Sequence, residues 1–198
     1  MTEIKAKRVV VCATGGYEVY ALPGFILALL QHVADDVQVV LSRAATRLVS
    51  VHAVEVACRH KVFVEMDDKG EDVFVPHIEL GRGADLILVY PATVNVVGKV
   101  ANGIADELIP ALIIAAHSPV LFVPVANPHM WTHPAVKRNL DRLEADGYAV
   151  APPPAAIEVA TREGLETMGD FPHPTLLLRM RALLKGHGPG SPVREPVD

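Results

Sequence analysis

The sequence predicts an α/β protein built on a mostly parallel, doubly wound sheet with helices on both faces. Short β-branched apolar runs alternate along the 198 residues with stretches whose apolar positions recur at helical spacing. Half of the residues, 51%, are hydrophobic and rich in Val, Ile, Leu and Ala, which suits strands covered on both faces. The length suffices for one well-packed domain.

Arg8-Val9-Val10-Val11-Cys12-Ala13 reads as the first strand and breaks at Thr14-Gly15-Gly16. Leu22, Phe25, Ile26, Leu29, Leu30 and Val33 then follow helical spacing, with Pro23 in the first turn, where a missing N–H costs nothing. Val37–Leu41 is the second strand, ending at Ser42-Arg43. A helix is expected over Ala45–Ala57, a short strand over Lys61–Val64 and a turn at Asp67–Gly70. Leu86–Tyr90 is the next strand. A helix starts near Thr93 and runs to about Ala101, and another covers Asp106–Ala116 with an interruption at Pro110. Val120–Pro124 is a strand, Ala126–Pro134 a loop, Ala135–Ala145 a helix and Ala149-Val150 the last strand. Pro152-Pro153-Pro154 cannot continue a sheet. A closing helix spans Leu176–Leu184, so the folded domain is 1–185. Residues 186–198, rich in Gly, Pro and Ser, read as a disordered tail.

Net charge is −5 and no long basic run appears, which argues against a nucleic-acid partner. The two cysteines, Cys12 and Cys58, suggest no disulfide framework and suit a reducing cytoplasm. Met1–Lys5 has no signal-peptide pattern, and the apolar runs are too short to span a bilayer. The expectation is a cytoplasmic protein without a membrane partner.

In open α/β sheets, ligands bind beyond the carboxyl ends of the strands. Thr14-Gly15-Gly16 falls at such an end, where free amides could hold a phosphate, and Ser42 could add a hydroxyl. An ordinary βα turn explains the same residues, since the pattern G-x-G-x-x-G is absent. His77 has two readings. One is an ordinary histidine before a turn, one of nine in the chain; the other is a general base. No Cys–His or His–His spacing around it suggests a metal. Asn95 and Asn127 lie just past strand ends and read as helix caps, turn residues or pocket carboxamides. Met130-Trp131 either plugs the core, makes a subunit contact or walls a flat-ring pocket.

Three ordered segments resemble the homo-oligomeric flavin-containing cysteine decarboxylases. This family includes the peptidyl-cysteine decarboxylases and 4′-phosphopantothenoylcysteine decarboxylase. His77-Ile78-Glu79-Leu80 resembles the family's active-site histidine segment. Pro91–Val96 resembles its P-A-S-A-N-T motif, with Thr93 for Ser, Val94 for Ala and Val96 for Thr. Pro124–Trp131 resembles its P-x-M-N-x-x-M-W motif, with Ala126 for Met. The likeness covers about Arg8 to Ala151.

This resemblance implies a three-layer flavodoxin-like (Rossmann-like) fold, FMN as cofactor, and a homo-oligomer, trimer or dodecamer, with the flavin between subunits. It implies that Thr14, Gly15, Gly16 and Ser42 hold the phosphate, and that Ala92, Thr93 and Asn95 contact the flavin. His77 and Asn127 become the catalytic residues, and Asn95, Asn127 and Met130 line the substrate; no metal is implied. The coenzyme A branch uses a cysteine in a C-terminal flap as proton donor, and this chain has no cysteine after Cys58. The expected reaction is therefore oxidative decarboxylation of the C-terminal cysteine of a precursor peptide, giving an aminoenethiol. Phosphopantothenoylcysteine decarboxylation and a non-catalytic FMN-binding regulatory role are the alternatives. The related flavin prenyltransferases have an arginine- and glutamate-rich prenyl phosphate site that is not evident here.

Overall fold

A computed structural model describes residues 5–151 and 174–186. Strands β1 (Ala6–Ala13), β2 (Ala34–Leu41), β3 (Leu86–Thr93), β4 (Val120–Val125) and β5 (Ala149–Val150) form one sheet. Its order is β2-β1-β3-β4-β5 and every pairing is parallel, the flavodoxin-like arrangement. Successive side chains of a strand point to opposite faces. Val9, Val11 and Ala13 of β1 accordingly enter one core, and Val10 and Cys12 the other.

The first core is covered by α1 (Leu22–His32), α2 (Val51–Cys58) and α8 (Pro174–Gly186). The second lies under α3 (Pro76–Arg82), α4 (Val94–Ala101), α5 (Leu108–Ala115) and α7 (Pro134–Ala145). A further short helix, α6 (Pro128–Thr132), follows β4. Three layers result, with the sheet in the middle. Among the described residues no helix is long and apolar enough to cross a membrane.

Several elements differ from the sequence expectation, each for a local reason. A 3-10 turn (Tyr17–Ala21) stands between the glycine loop and α1. The helix expected over Ala45–Ala57 splits into a 3-10 turn (Ala45–Arg47) and α2, because Ser50 caps a new start by accepting from Ala53 N–H. Lys61–Val64 makes only one bridge, Phe63 to Val40, so it is an edge contact rather than a strand. Helix α3 was not expected. Pro76 opens it, and the Glu79 carboxylate accepts from Phe74 N–H at 2.8 Å. Pro110 does not interrupt α5, because it falls in the first turn. Strand β3 continues past Tyr90 to Thr93, with its register to β4 shifted between Val89 and Ala92. The expected loop at 126–134 contains α6. Pro152-Pro153-Pro154 and nearly all of the expected tail lie outside the described residues.

Candidate functional site

Strand β1 is flanked by β2 on one side and β3 on the other, so the chain switches direction at its carboxyl end. The loop that leaves β1 touches both flanks. A methyl group built on Gly15 would lie 2.6 Å from Ala44 Cβ, on the loop after β2. One built on Gly16 would lie 2.7 Å from Val125 Cγ2 and 2.9 Å from Pro91 Cβ, at the ends of β4 and β3. Side chains at either position would force these loops apart, which is why the turn carries two glycines.

Thr14 fixes this loop to β3. It is 5% exposed. Its hydroxyl donates to Pro91 O at 2.6 Å and accepts from Thr93 N–H at 2.9 Å, and Thr93 Oγ1 lies 3.0 Å away. The Thr14 hydroxyl proton is thus spent within the protein, and Thr14 acts on the loop as a fastener. Ser42 is held by its N–H donating to Ala13 O at 2.9 Å, and its Oγ accepts from Ala45 N–H at 3.2 Å. Among the described residues the amides of Gly15, Arg43 and Ala44 make no hydrogen bond. Unpaired N–H groups on two touching loops suit an anion such as a phosphate.

The remaining site candidates come from the next two strand ends. Ala92 is fully buried opposite Pro124, and Thr93 pairs with Val125. Thr93 is the N-cap of α4, and Asn95 sits exposed in the first turn, its carboxamide without a hydrogen bond to another described residue. Asn127 caps α6, its Oδ1 accepting from Met130 N–H at 2.8 Å. Met130 is 40% exposed, whereas Trp131 packs against the second core.

His77 reaches this edge by a different route. Helix α3 runs antiparallel to the strands. Its carboxyl end is pinned at the opposite edge, where the Ser118 hydroxyl donates to Ala84 O at 2.6 Å and Asp85 N–H donates to Arg8 O at 2.9 Å. Its amino end, with His77, therefore points to the carboxyl edge of the sheet. His77 Nδ1 is buried and has no hydrogen-bond partner among the described residues. A buried ring nitrogen left without a partner is one that a bound molecule can satisfy.

Charges around the edge are mostly paired. Arg43 binds Glu65 with two hydrogen bonds, at 2.5 and 2.7 Å, and Lys99 binds Asp106 at 2.9 Å and Glu107 at 3.1 Å. Glu18 has no ion-pair partner among the described residues. Burial pushes its carboxyl above the usual range, against the effect of its own amide N–H, which donates to it. Burial also pushes the Tyr90 phenol up, and the charges of Glu18 and Tyr20 add to that shift. The sequence reading missed Glu18, which lies between the glycine loop and the first expected helix, where no residue type marks a carboxylate as buried. It also missed the amides of Arg43 and Ala44, which are backbone groups that no residue type announces.

The chain is similar to known proteins in both sequence and structure. Residues 1–178 match the family model described as Flavoprotein. The chain is 40% identical over 147 residues to the coenzyme A biosynthesis bifunctional protein CoaBC of Bacillus subtilis. That match covers 74% of this chain but only 36% of the longer relative. It is 31% identical over 160 residues to the mersacidin decarboxylase of a Bacillus species, covering 80% of each chain. The crystal structure of the FMN-dependent cysteine decarboxylase SpaF superposes with a TM-score of 0.70 at 26% identity, covering 87% of this chain and 96% of that one.

Proposed function

The chain belongs to the Flavoprotein family and takes FMN as its cofactor, and on that premise we propose that it decarboxylates the C-terminal cysteine of a precursor peptide oxidatively, leaving an aminoenethiol. The observation that carries this reading is the buried, partnerless His77 Nδ1 on the helix end that faces the strand ends. A cysteine thiol brought there would give its proton to the His77 imidazole, and general-base help of this kind supplies about 10²–10⁴-fold.

When bound, FMN supplies a two-electron acceptor, so that the cysteine CH₂–SH becomes a thioaldehyde whose C=S takes up the electron pair released with CO₂. The unpaired amides of Gly15, Arg43 and Ala44, with the Ser42 hydroxyl, would hold its phosphate. Asn95 would meet the flavin through its unpaired carboxamide, on the helix that Thr93 caps. The Asn127 amide NH₂ would orient the substrate carboxylate, since its oxygen already caps α6. Met130, exposed beside it, would exclude water from the reacting atoms. A second copy of the chain, in a trimer or dodecamer, would cover Phe74, Val75 and Ile78, which are exposed next to His77.

Phosphopantothenoylcysteine decarboxylation is the second reading, favoured by the identity to CoaBC. That reaction needs a proton donor for its last step, and the chain has no thiol after Cys58 to supply it. Incubating the purified protein with a peptide ending in cysteine, and separately with phosphopantothenoylcysteine, separates the two by mass. Loss of CO₂ together with two hydrogens from the peptide supports the first reading; redox-neutral loss of CO₂ from the small substrate replaces it with the second. A His77→Asn variant should keep FMN and lose turnover, and unchanged turnover would remove His77 from the reaction.

A further inference from the structure

The Glu18 carboxylate has an unusual position. It is half-buried, and among the described residues its only hydrogen-bond donor is its own amide N–H and no lysine, arginine or histidine pairs with it. Its Oε2 lies 3.0 Å from the point where a Gly16 Cβ would stand, and Pro91 Cβ and Val125 Cγ2 lie 2.9 and 2.7 Å from that same point. The missing side chain of Gly16 thus leaves the carboxylate packed over the ends of β3 and β4.

The glycine loop has two unlike sides. Towards β2, Gly15 abuts Ala44, and the amides of Gly15, Arg43 and Ala44 are unpaired, which suits a phosphate. Towards β3 and β4, Gly16 faces Pro91, Val125 and the Glu18 carboxylate, an acceptor with no cation beside it among the described residues. FMN is itself a phosphate joined through a polyhydroxyl chain to a flat ring. With the phosphate held on the β2 side and the ring towards Asn95 and Asn127, the polyhydroxyl chain would pass the side that Glu18 occupies. Hydroxyls are donors, and an under-satisfied carboxylate in a partly dry site is the acceptor that suits them.

We propose that Glu18 is a cofactor ligand of this chain, its carboxylate accepting hydrogen bonds from the hydroxyls of the ribityl chain of FMN. The assignment rests on the cofactor and not on which cysteine substrate is decarboxylated, so its test reads binding rather than turnover.

The dissociation constants of FMN, riboflavin and lumiflavin, which lacks the ribityl chain, are measured by flavin fluorescence on the apoprotein, the Glu18→Ala variant and the Glu18→Gln variant. Losing hydrogen bonds to a charged acceptor should weaken FMN and riboflavin by the same factor in Glu18→Ala, about 10- to 100-fold. Glu18→Gln keeps an acceptor oxygen and should weaken both by less, and lumiflavin should not change. FMN affinity that is unchanged, or that rises because a like charge has been removed from beside the phosphate, overturns the proposal. An equal loss for lumiflavin also overturns it, since the contact would then be with the ring. Should Glu18→Ala not fold, Glu18→Gln decides alone: weaker FMN supports the assignment, and equal or tighter FMN ends it.

Discussion

Replacing Thr14 with valine tests whether this residue fastens the glycine loop or holds a ligand. Valine keeps the shape of threonine and removes only the hydroxyl. The wild-type hydroxyl donates to Pro91 O at 2.6 Å and accepts from Thr93 N–H at 2.9 Å in a site where Thr14 is 5% exposed. Losing the donated bond costs about 0.5–1.5 kcal/mol, and leaving the Thr93 N–H against a methyl group costs about 1–3 kcal/mol. The total, about 2–4 kcal/mol, lowers the melting temperature of a domain of this size by roughly 5–15 °C. Thr14→Ser restores both bonds and loses one methyl, so it should stay within about 1 kcal/mol of the parent. The assay is thermal unfolding of the apoprotein, followed by circular dichroism, with FMN and riboflavin affinities measured alongside. A Thr14→Val apoprotein that melts with the parent, while losing FMN but not riboflavin, would refute the fastening role and make the hydroxyl a phosphate ligand.

Two further substitutions probe other links. Gly16→Ala places a methyl group 2.7 Å from Val125 Cγ2 and 2.9 Å from Pro91 Cβ, atoms that cannot swing aside as a long side chain does. It should cost about 1–3 kcal/mol, read from the urea midpoint, and a parental midpoint would mean that the loop yields freely. At the opposite edge, burial alone would raise the Asp36 carboxyl, but the hydrogen bonds and charges of His60 and Arg8 outweigh it and hold the group below its usual range. A carboxyl lowered by folding stabilises the protein above its unfolded pKa, about 3.9, and loses that contribution as pH falls through the folded value. Asp36→Asn should therefore unfold more readily than the parent near pH 6, with the gap closing in acid. A gap independent of pH would show that the ion pairs are not its source.

The strands were legible because they are buried on both faces. Val9–Val11 and Leu86–Val89 are fully buried continuous apolar runs, too short for a helix of their own and able to hide every side chain only inside a sheet covered on both sides. Helix α3 was not legible from periodicity, since Leu80 is its only deeply buried large side chain; its signal lay in Pro76 and the capping Glu79. The break before α2 was marked by Ser50, a cap that a continuous helical pattern obscures. In the candidate site, Gly15, Gly16, Asn95 and Asn127 stood out because their residue types punctuate strand ends. The partners of Thr14 did not, because Pro91 and Thr93 lie 77 and 79 positions away and only the sheet brings them together. Glu18 carries an environment, not a residue type, that sets it apart.

The edge that gathers these groups draws Thr14 from just past β1, Ser42 from just past β2, Thr93 from the end of β3 and Asn127 from just past β4, segments that share no neighbourhood in an unfolded chain. Whatever settles there recognises only the finished sheet, so its affinity becomes extra resistance to unfolding. At a hundredfold excess over the dissociation constant that gain is about 2.7 kcal/mol. The melting temperature then works as a titration axis, on which each added flavin analogue reports its own strength without any chemistry being run.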